Sequence, residues 1–172
     1  MILLRTITEE DFGRTVHPDQ WPTYRVRPSA RAVLLDDTSQ VALMHVVGDN
    51  YYKLPGGGID EGEDIDTGLR RELLEEVGAS SVDIIGEVGQ IDIYAEDLQM
   101  KSEHTCFIVT LKSPTIEPQR TEGEIAEGYE TVWASDIDAA LALVESGDPK
   151  EYGHDFERLR ELTFLKEAKK HI

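Results

Sequence analysis

The sequence predicts an α/β fold in which helices pack against a mixed β-sheet. Short apolar runs rich in β-branched residues alternate along the chain with segments of helical spacing. Four of the strand-like runs form two close pairs, which indicates hairpins. The chain has 172 residues, 40% of them hydrophobic, which suits one domain with its own core.

The N-terminal part predicts a strand, an irregular arm and a hairpin. Residues 2–7 (ILLRTI) read as a short strand, and Thr8 is suited to begin a helical turn. Segment 17–29 contains three prolines and is predicted to be irregular. The apolar runs at 31–36 and 40–47 are separated by Asp-Thr-Ser, which predicts a hairpin.

A short strand ending at Pro55 precedes a helix that is predicted over residues 64–77. Acidic residues at its start suit the helix dipole, and Gly78 is placed to end it. An apolar residue recurs every four positions and forms one ridge: Ile65, Leu69, Leu73 and Val77.

The remainder predicts three strands, over residues 82–95, 104–112 and 129–134. A polar loop, 113–128, precedes the last strand, and Ser135 is placed to cap a helix that follows it. We expect a single domain over residues 1–172, with an N-terminal extension over 1–22 and a C-terminal helix over 153–172.

The charge balance restricts the partners. Lys plus Arg is 17 and Asp plus Glu is 35, which gives a formal net charge of -18. Such a surface repels phosphate, so we expect no binding to nucleic-acid polymers or anionic membranes. A small anionic substrate would need divalent cations to screen the encounter.

Cysteine usage and apolar run lengths indicate a cytoplasmic protein. Cys106 is the single cysteine, so no disulfide can form within the chain, and its apolar neighbours predict a buried side chain. No apolar run approaches the length of a membrane span, and the first residues show no signal-peptide pattern. The oligomeric state is undetermined, with a homodimer among the alternatives.

The stretch 54–79, LPGGGIDEGEDIDTGLRRELLEEVGA, concentrates glycines and acids. At about 100° per residue, Glu72, Glu75 and Glu76 span an arc of roughly 100° on the predicted helix. That arc overlaps the edge of the apolar ridge, so packing can direct the carboxylates. A solvated acidic face would lie opposite the ridge. Three neighbouring carboxylates repel one another, and a hard divalent cation such as Mg²⁺ would compensate them.

Other residues of the same stretch can support such a site. Arg71 cannot balance three carboxylates alone, but it can hold one of them, and Glu63 is placed to pair with it. The glycines at 56–58 allow backbone conformations that are closed to other residues and let backbone groups approach a ligand.

The stretch resembles the Nudix box, G-x5-E-x7-R-E-U-x-E-E-x-G-U, in which U is a bulky aliphatic residue. The sequence supplies Gly57, Glu63 and then RELLEEVGA over 71–79, so every fixed letter matches and only Ala79 is small for its position. Seven fixed letters would coincide by chance on the order of once in 10⁸ to 10⁹ windows. The likeness extends over roughly residues 25–145.

This resemblance implies a Nudix-type α/β/α sandwich around a mixed β-sheet, and an enzyme that hydrolyses a nucleoside diphosphate linked to a group X. It implies that Glu72, Glu75, Glu76 and the Gly56 carbonyl ligate Mg²⁺ or Mn²⁺, with Glu63 and Arg71 organising them. The family's general base is a box glutamate or one from a distant loop. The chain offers four such glutamates, of which Glu124 and Glu127 are favoured: Glu103, Glu122, Glu124 and Glu127.

The substrate is less determined. Family members acting on ADP-ribose carry a proline about fifteen residues beyond the box, and none is present here. A nucleoside triphosphate, oxidised or not, or another nucleoside diphosphate derivative is the leading expectation. A dinucleoside polyphosphate or a nucleotide sugar is the alternative substrate, and a non-catalytic nucleotide sensor is the alternative of another class. Arg25, Arg27 and Arg31 are candidate phosphate contacts, and Tyr52 is a candidate for stacking on a base.

Overall fold

A computed structural model describes all residues of the chain, Met1–Ile172. It contains seven strands: β1 (Leu3–Ile7), β2 (Arg25–Leu35), β3 (Val41–Val46), β4 (Tyr51–Lys53), β5 (Val82–Ala95), β6 (Met100–Leu111) and β7 (Tyr129–Ala134). It contains four α-helices: α1 (Ile65–Val77), α2 (Glu122–Ala126), α3 (Ile137–Ser146) and α4 (His154–Ala168). Two short 3₁₀ turns lie at Glu9–Phe12 and Trp21–Thr23.

The seven strands form one mixed sheet in the order β1-β5-β6-β2-β3-β4, with β7 also paired to β3. Two pairs, β1 with β5 and β2 with β6, are parallel, and the other pairs are antiparallel. The predicted hairpins β2–β3 and β5–β6 are both present, and the mixed sheet that the sequence predicts is confirmed.

Helices cover the two faces of the sheet, which gives the predicted three-layer sandwich. On one face, α1 inserts the ridge residues Leu69, Leu73 and Val77 into a core cluster with alternate residues of β2 and β3. The larger cluster lies on the other face and includes buried residues of α3 and α4. Burial of these side chains supplies the main stabilisation of both layers.

The structure corrects three local expectations. The arm does not stay irregular through residue 29, because β2 begins at Arg25 and continues through Pro28. The polar loop contains the short helix α2. The cap of α3 is Asp136, whose side chain accepts a hydrogen bond from the backbone of Ala139, rather than Ser135. Adjacent serine and aspartate are both good caps, so backbone geometry decided between them.

Both ends of the chain join the central sandwich. Strand β1 lies parallel to β5 at the sheet edge, and α4 buries Phe156, Phe164 and Leu165 in the larger core cluster. Cys106 is buried in that cluster, as predicted. None of the helices combines the length and apolar character that crossing a bilayer requires.

Candidate active site

The glycine run after β4 is an ordered segment that lies along β2. The carbonyls of Pro55 and Gly57 accept hydrogen bonds of 3.0 Å from the backbone of Ala32 and Ala30. Gly56 lies between them with φ at 124°, and a Cβ there would come within 2.2 Å of the Ala30 carbonyl oxygen. Only glycine fits this position, because both the backbone conformation and the contact with β2 exclude a side chain.

Glu76 is the innermost of the three box glutamates. Its side chain is almost fully buried, and its Oε2 accepts a 2.7 Å hydrogen bond from the Gly56 backbone N–H. Burial raises the pKa of the Glu76 carboxyl to about 7, although the positive charges of Lys53 and Arg31 partly oppose the rise. The sequence prediction that these carboxylates border the core therefore holds most strongly for Glu76.

Glu72 lies against the next glycine. A Cβ on Gly57 would fall within 2.6 Å of all three atoms of the Glu72 carboxyl group. This carboxylate therefore occupies the space that a side chain at position 57 would fill. The exposed fraction of the side chain is 14% for Glu72 and 35% for Glu75, which places Glu75 nearest the solvent. The three carboxylates thus run from the buried end of the site to its rim.

Arg71 ties the loop before α1 to the glutamates. Its Nε and Nη2 donate to the two carboxylate oxygens of Glu63 at 3.1 and 3.0 Å, and Nη1 donates to Glu72 Oε1 at 2.8 Å. Nη2 also donates to the Gly58 carbonyl at 3.0 Å. Hydrogen bonding to Arg71 lowers the pKa of Glu63, and hydrogen bonding to Glu63 raises the pKa of Arg71. The Arg71 guanidinium therefore joins the glycine run, the loop before α1 and α1 itself.

The donor set suits a hard divalent cation. Mg²⁺ prefers carboxylate and carbonyl oxygens, and α1 and the glycine run together offer three carboxylates and a backbone carbonyl. Because Gly57 has no side chain, the Glu72 carboxylate can lie beside the glycine run without being displaced. Arg71 is the only cation that pairs directly with Glu72 and Glu75, and it also pairs with Glu63, so one guanidinium faces three carboxylates.

Lys53 is a site residue that the sequence reasoning missed. It is buried, and its Nζ donates a 3.0 Å hydrogen bond to the Tyr129 hydroxyl. Burial lowers the pKa of Lys53, but the charges of Glu157 and Glu76 outweigh this and raise it, so the ammonium remains charged. A lysine between apolar strand positions was the available signal, but no sequence pattern identified its partners.

A buried polar network in α4 was also missed. Arg160 and Glu161 are buried and hydrogen-bonded to each other, and Arg160 Nη1 lies 3.3 Å from His104 Nε2. Burial lowers the pKa of His104 well below its ordinary value, and Arg160 adds to this. Glu157 of the same helix accepts a 2.9 Å hydrogen bond from the Tyr51 hydroxyl. The network couples α4 to β4, which carries Lys53, and to β6.

The loop before α2 is bound to the C-terminal end of α1. The backbone N–H of Gln119 donates to the Glu75 carbonyl at 2.8 Å, and Arg120 Nη2 donates to the Glu76 carbonyl at 3.2 Å. Arg120 also donates to Thr131 Oγ1 at 2.8 Å. These contacts place α2 near the helix end that carries the glutamates, and Arg120 is a further residue that the sequence reasoning missed.

The four candidate general bases differ in their contacts. Glu124 Oε2 accepts hydrogen bonds from the backbone N–H and the hydroxyl of Thr121 at 2.7 and 3.0 Å, so this carboxylate caps α2. Glu103 pairs with Lys101 at 2.6 Å. Glu122 is exposed, and Glu127 lines a surface cavity of about 380 Å³. Of the two favoured glutamates, Glu127 has the uncommitted carboxylate.

The candidate substrate contacts separate into three environments. Arg25 and Arg27 are exposed at the start of β2, and the Arg27 guanidinium lies against Gly58, 3.0 Å from where a Cβ would be. Arg31 lies four residues beyond Arg27 on the same strand. It is buried, and it donates hydrogen bonds to the backbone carbonyls of Leu54 and Gly56. Tyr52 is half-buried and stacks on His45 at 4.3 Å between ring centroids.

A second group of metal-ligating side chains lies apart from the box glutamates. Ligand atoms of Asp49, Glu151 and His154 lie within 4.8 Å of one another in the cavity that Glu127 lines. His154 Nδ1 is hydrogen-bonded to Asp49, and its ring stacks on Tyr51 with 4.4 Å between centroids. The hydrogen bond and the stacking account for the position of His154.

Comparison with known proteins places these features in a family. The profile of the NUDIX domain matches residues 25–152. RNA pyrophosphohydrolase of Haemophilus ducreyi is 41% identical over 58 residues, which are 34% of this chain and 29% of that protein. RNA pyrophosphohydrolase of Caulobacter vibrioides is 41% identical over 63 residues, 35% of this chain and 37% of that protein. The chain thus matches well under half the length of these curated relatives.

Solved structures share the fold at low sequence identity. The MutT protein of Methanosarcina mazei Go1 superposes with a TM-score of 0.58 at 16% identity, covering 86% of this chain and 96% of that one. The Ap4A hydrolase of C. elegans also superposes with a TM-score of 0.58, at 13% identity, covering 86% of this chain and 98% of that one. The α/β/α sandwich is therefore common to these proteins.

Proposed function

This chain belongs to the NUDIX family, and from that premise we propose that it hydrolyses a pyrophosphate bond in a nucleoside diphosphate linked to a further group X. One observation supports this most directly. Glu76 and Glu72 are held against Gly56 and Gly57 beside β2, and Arg71 donates a hydrogen bond to Glu72. Such an arrangement of oxygen ligands serves phosphoryl chemistry better than it serves stability, because like charges three and four residues apart on a helix repel one another.

The proposed metal is Mg²⁺ or Mn²⁺, bound by Glu72, Glu75, Glu76 and the Gly56 carbonyl. When bound, it would supply the positive charge that neutralises the pyrophosphate and would make water a better nucleophile. Arg71 and Glu63 keep the ligand carboxylates and the glycine run in register. Lys53 places a second positive charge near Glu76.

Water attack on phosphorus also requires a group that accepts a proton. We assign this role to Glu127 or Glu124 in the loop that Gln119 and Arg120 attach to α1. Glu127→Gln and Glu124→Gln would be compared with the control Glu117→Gln, an exposed glutamate of the same loop that is not among the candidate bases. Loss of the general base should lower kcat by about 10²- to 10⁴-fold, whereas the control should stay within about twofold.

The leading substrate is a nucleoside triphosphate, oxidised or not, or another nucleoside diphosphate derivative. Arg25 and Arg27 would contact its phosphates, since both are exposed and Arg27 lies over Gly58. Tyr52 would stack on the base. A dinucleoside polyphosphate or a nucleotide sugar is the second choice. The printed name of the matched relatives, RNA pyrophosphohydrolase, adds an RNA that carries a pyrophosphate bond as a substrate to test, although a net charge of -18 opposes binding along a polymer.

The deciding experiment is a hydrolysis screen with Mg²⁺ or Mn²⁺ over nucleoside triphosphates, dinucleoside polyphosphates, nucleotide sugars and a short 5′-triphosphorylated RNA. Release of a nucleoside monophosphate from one class, abolished by EDTA, supports the proposal, and ¹⁸O-water labelling shows which phosphorus is attacked. Full activity in EDTA would refute the proposal. Tight nucleotide binding without turnover would favour the non-catalytic alternative. Isomerisation of a diphosphate-bearing isoprenoid, which would need a catalytic cysteine, is disfavoured because Cys106 is the single cysteine and is buried.

The reaction is proposed for the cytoplasm, where the single cysteine would remain a thiol.

A further inference from the structure

We propose that Arg31 is a positioning residue that orients the Gly56 carbonyl, and that it thereby sets the affinity of the site for its divalent metal. The inference rests on the proposed function, since it concerns the metal site that function requires. Arg31 would act through the backbone and would not touch the substrate.

The contacts of Arg31 are with backbone carbonyls. The residue is 6% exposed, and its Nη1 donates to the carbonyl of Gly56 and, at 3.4 Å, to that of Leu54. No carboxylate lies within ion-pair distance of it, as the pairs that the structure forms do not include Arg31. A buried guanidinium without an ion pair is costly, so its retention at this point calls for a use beyond packing.

The Gly56 carbonyl needs an external support. The hydrogen bonds between the glycine run and β2 use the carbonyls on either side of it, those of Pro55 and Gly57. The N–H of Gly56 is held by Glu76, and glycine at φ 124° has little intrinsic preference for one peptide orientation. The carbonyl is the remaining polar group of Gly56, and Arg31 is the side chain that donates a hydrogen bond to it.

The arrangement leaves room for a cation on the same oxygen. A carbonyl oxygen has two lone pairs, so the guanidinium can occupy one while the other is available to a metal bound by Glu76. Groups that orient metal ligands without touching the metal typically change metal affinity by about 10- to 100-fold when they are removed. That range sets the expected size of the effect.

Arg31 differs in its surroundings from the other two arginines of β2. Arg25, Arg27 and Arg31 alternate with other residues along β2 and share one face of the strand. Only Arg31 is buried and bound to the glycine segment, whereas Arg27 is exposed above Gly58. Arg27→Met is therefore a matched control that removes a guanidinium from the same strand face without releasing the Gly56 carbonyl.

The test measures metal binding rather than turnover. Binding of Mn²⁺ without substrate would be followed by electron paramagnetic resonance for the wild type, Arg31→Met, Arg31→Lys and Arg27→Met. We expect the Kd for Mn²⁺ to rise by about 10- to 100-fold in Arg31→Met and by less in Arg31→Lys, which keeps one donor. Arg27→Met should stay within about twofold. Circular dichroism and thermal unfolding would show which variants are folded.

Two outcomes overturn the inference. If the folded Arg31 variants bind Mn²⁺ with wild-type affinity, Arg31 has no positioning role, and if they bind it more tightly, Arg31 competes with the metal. A wild type that binds no Mn²⁺ would instead refute the proposed metal-dependent function.

A second measurement on the wild type covers the case in which the variants do not fold. Titration with Mg²⁺ should shift the Gly56 carbonyl ¹³C resonance while the Arg31 guanidinium protons stay protected from exchange. Loss of that protection on metal addition would show that metal and Arg31 exclude each other, contrary to the proposal.

Discussion

The backbone N–H of Gly56 donates a 2.7 Å hydrogen bond to Oε2 of Glu76, twenty positions later in the chain. The bond joins the glycine run to the C-terminal half of α1 and fixes a buried carboxylate beside it. Because Glu76 is 3% exposed, water cannot compensate for a misplaced carboxylate. The geometry of the proposed metal site thus depends on this contact.

Glu76→Gln should abolish metal-dependent hydrolysis. The amide keeps the shape and can still accept from Gly56, but it lacks the charge that a divalent cation requires. We expect kcat to fall by more than about 100-fold, because even groups that only orient ligands cost up to that much. The control is Glu145→Gln, at an exposed position on α3 whose ion-pair contact with Lys166 measures 3.8 Å, and it should retain full activity in the same assay.

The same substitution should stabilise the metal-free protein at alkaline pH. Burial raises the folded-state pKa of Glu76 from 4.5 to about 7, so its contribution is favourable at low pH and is lost as pH rises through this window. At pH 8 in EDTA, Glu76→Gln should therefore raise the free energy of unfolding, by at most about 3 kcal/mol. Urea denaturation checks this, and a variant less stable than the wild type under these conditions would contradict it.

Alanine substitutions at two adjacent glycines should have different effects. In Gly56→Ala the new Cβ meets the Ala30 carbonyl oxygen at 2.2 Å, and φ is 124°, so backbone must move and the fold should lose about 1–3 kcal/mol or more. In Gly57→Ala the Cβ meets the Glu72 carboxyl group at 2.5 Å, and that flexible end can swing away. We expect Gly57→Ala to lose activity with a smaller loss of stability. Thermal unfolding and kcat measured on both variants test this contrast, and equal loss of stability would be the contrary result.

Arg71 and Glu63 should behave as a coupled pair. Two parallel hydrogen bonds of 3.0 and 3.1 Å join them, and a lysine cannot reproduce this fork. Arg71→Lys should reduce kcat by about 10- to 100-fold. In a double-mutant cycle with Glu63→Gln, the effects of the two substitutions on stability should not be additive, because the two side chains share these hydrogen bonds. Additive effects on stability would show that the two side chains act independently.

His104 should make the protein sensitive to mild acid. Burial, together with Arg160, holds the folded-state pKa of His104 well below 6.5, while the unfolded chain takes up a proton near 6.5. Stability should therefore fall as pH drops below about 6.5 toward the lowered pKa.

His104→Gln keeps an acceptor for Arg160 but cannot titrate, so its stability should decline less between pH 7 and 5 than that of the wild type. The comparison is by urea denaturation at several pH values, with the exposed His171→Gln as control. A variant that declines as steeply as the wild type would exclude His104 as the cause.

The local parts of the site could be predicted because they depend on residues that are close together in the sequence. The ridge Leu69, Leu73 and Val77 fixes which side of α1 faces the sheet, and the glutamates follow from it by helical geometry. Asp64 and Gly78 set the ends of the helix, as their side chain and backbone conformation confirm. The two hairpins follow from strand-like runs with turn residues between them.

The surroundings of the site could not be predicted in the same way. Lys53, Arg160 and Glu161 are buried, although lysine, arginine and glutamate are usually exposed. Their burial depends on partners far away in sequence, such as Tyr129 for Lys53 and His104 for Arg160. Composition and periodicity contain no information about such pairs.

By itself, the sequence determined the fold class, the helix that carries Glu72, Glu75 and Glu76, and the family to which the chain belongs. Only the tertiary structure decided that Arg31 turns inward to the Gly56 carbonyl while Arg27 remains exposed. Both arginines occupy the same face of one strand, so local geometry treats them alike. The difference arises because the carbonyls of Leu54 and Gly56 accept hydrogen bonds from Arg31 where the chain returns beside β2, and that return is a long-range contact.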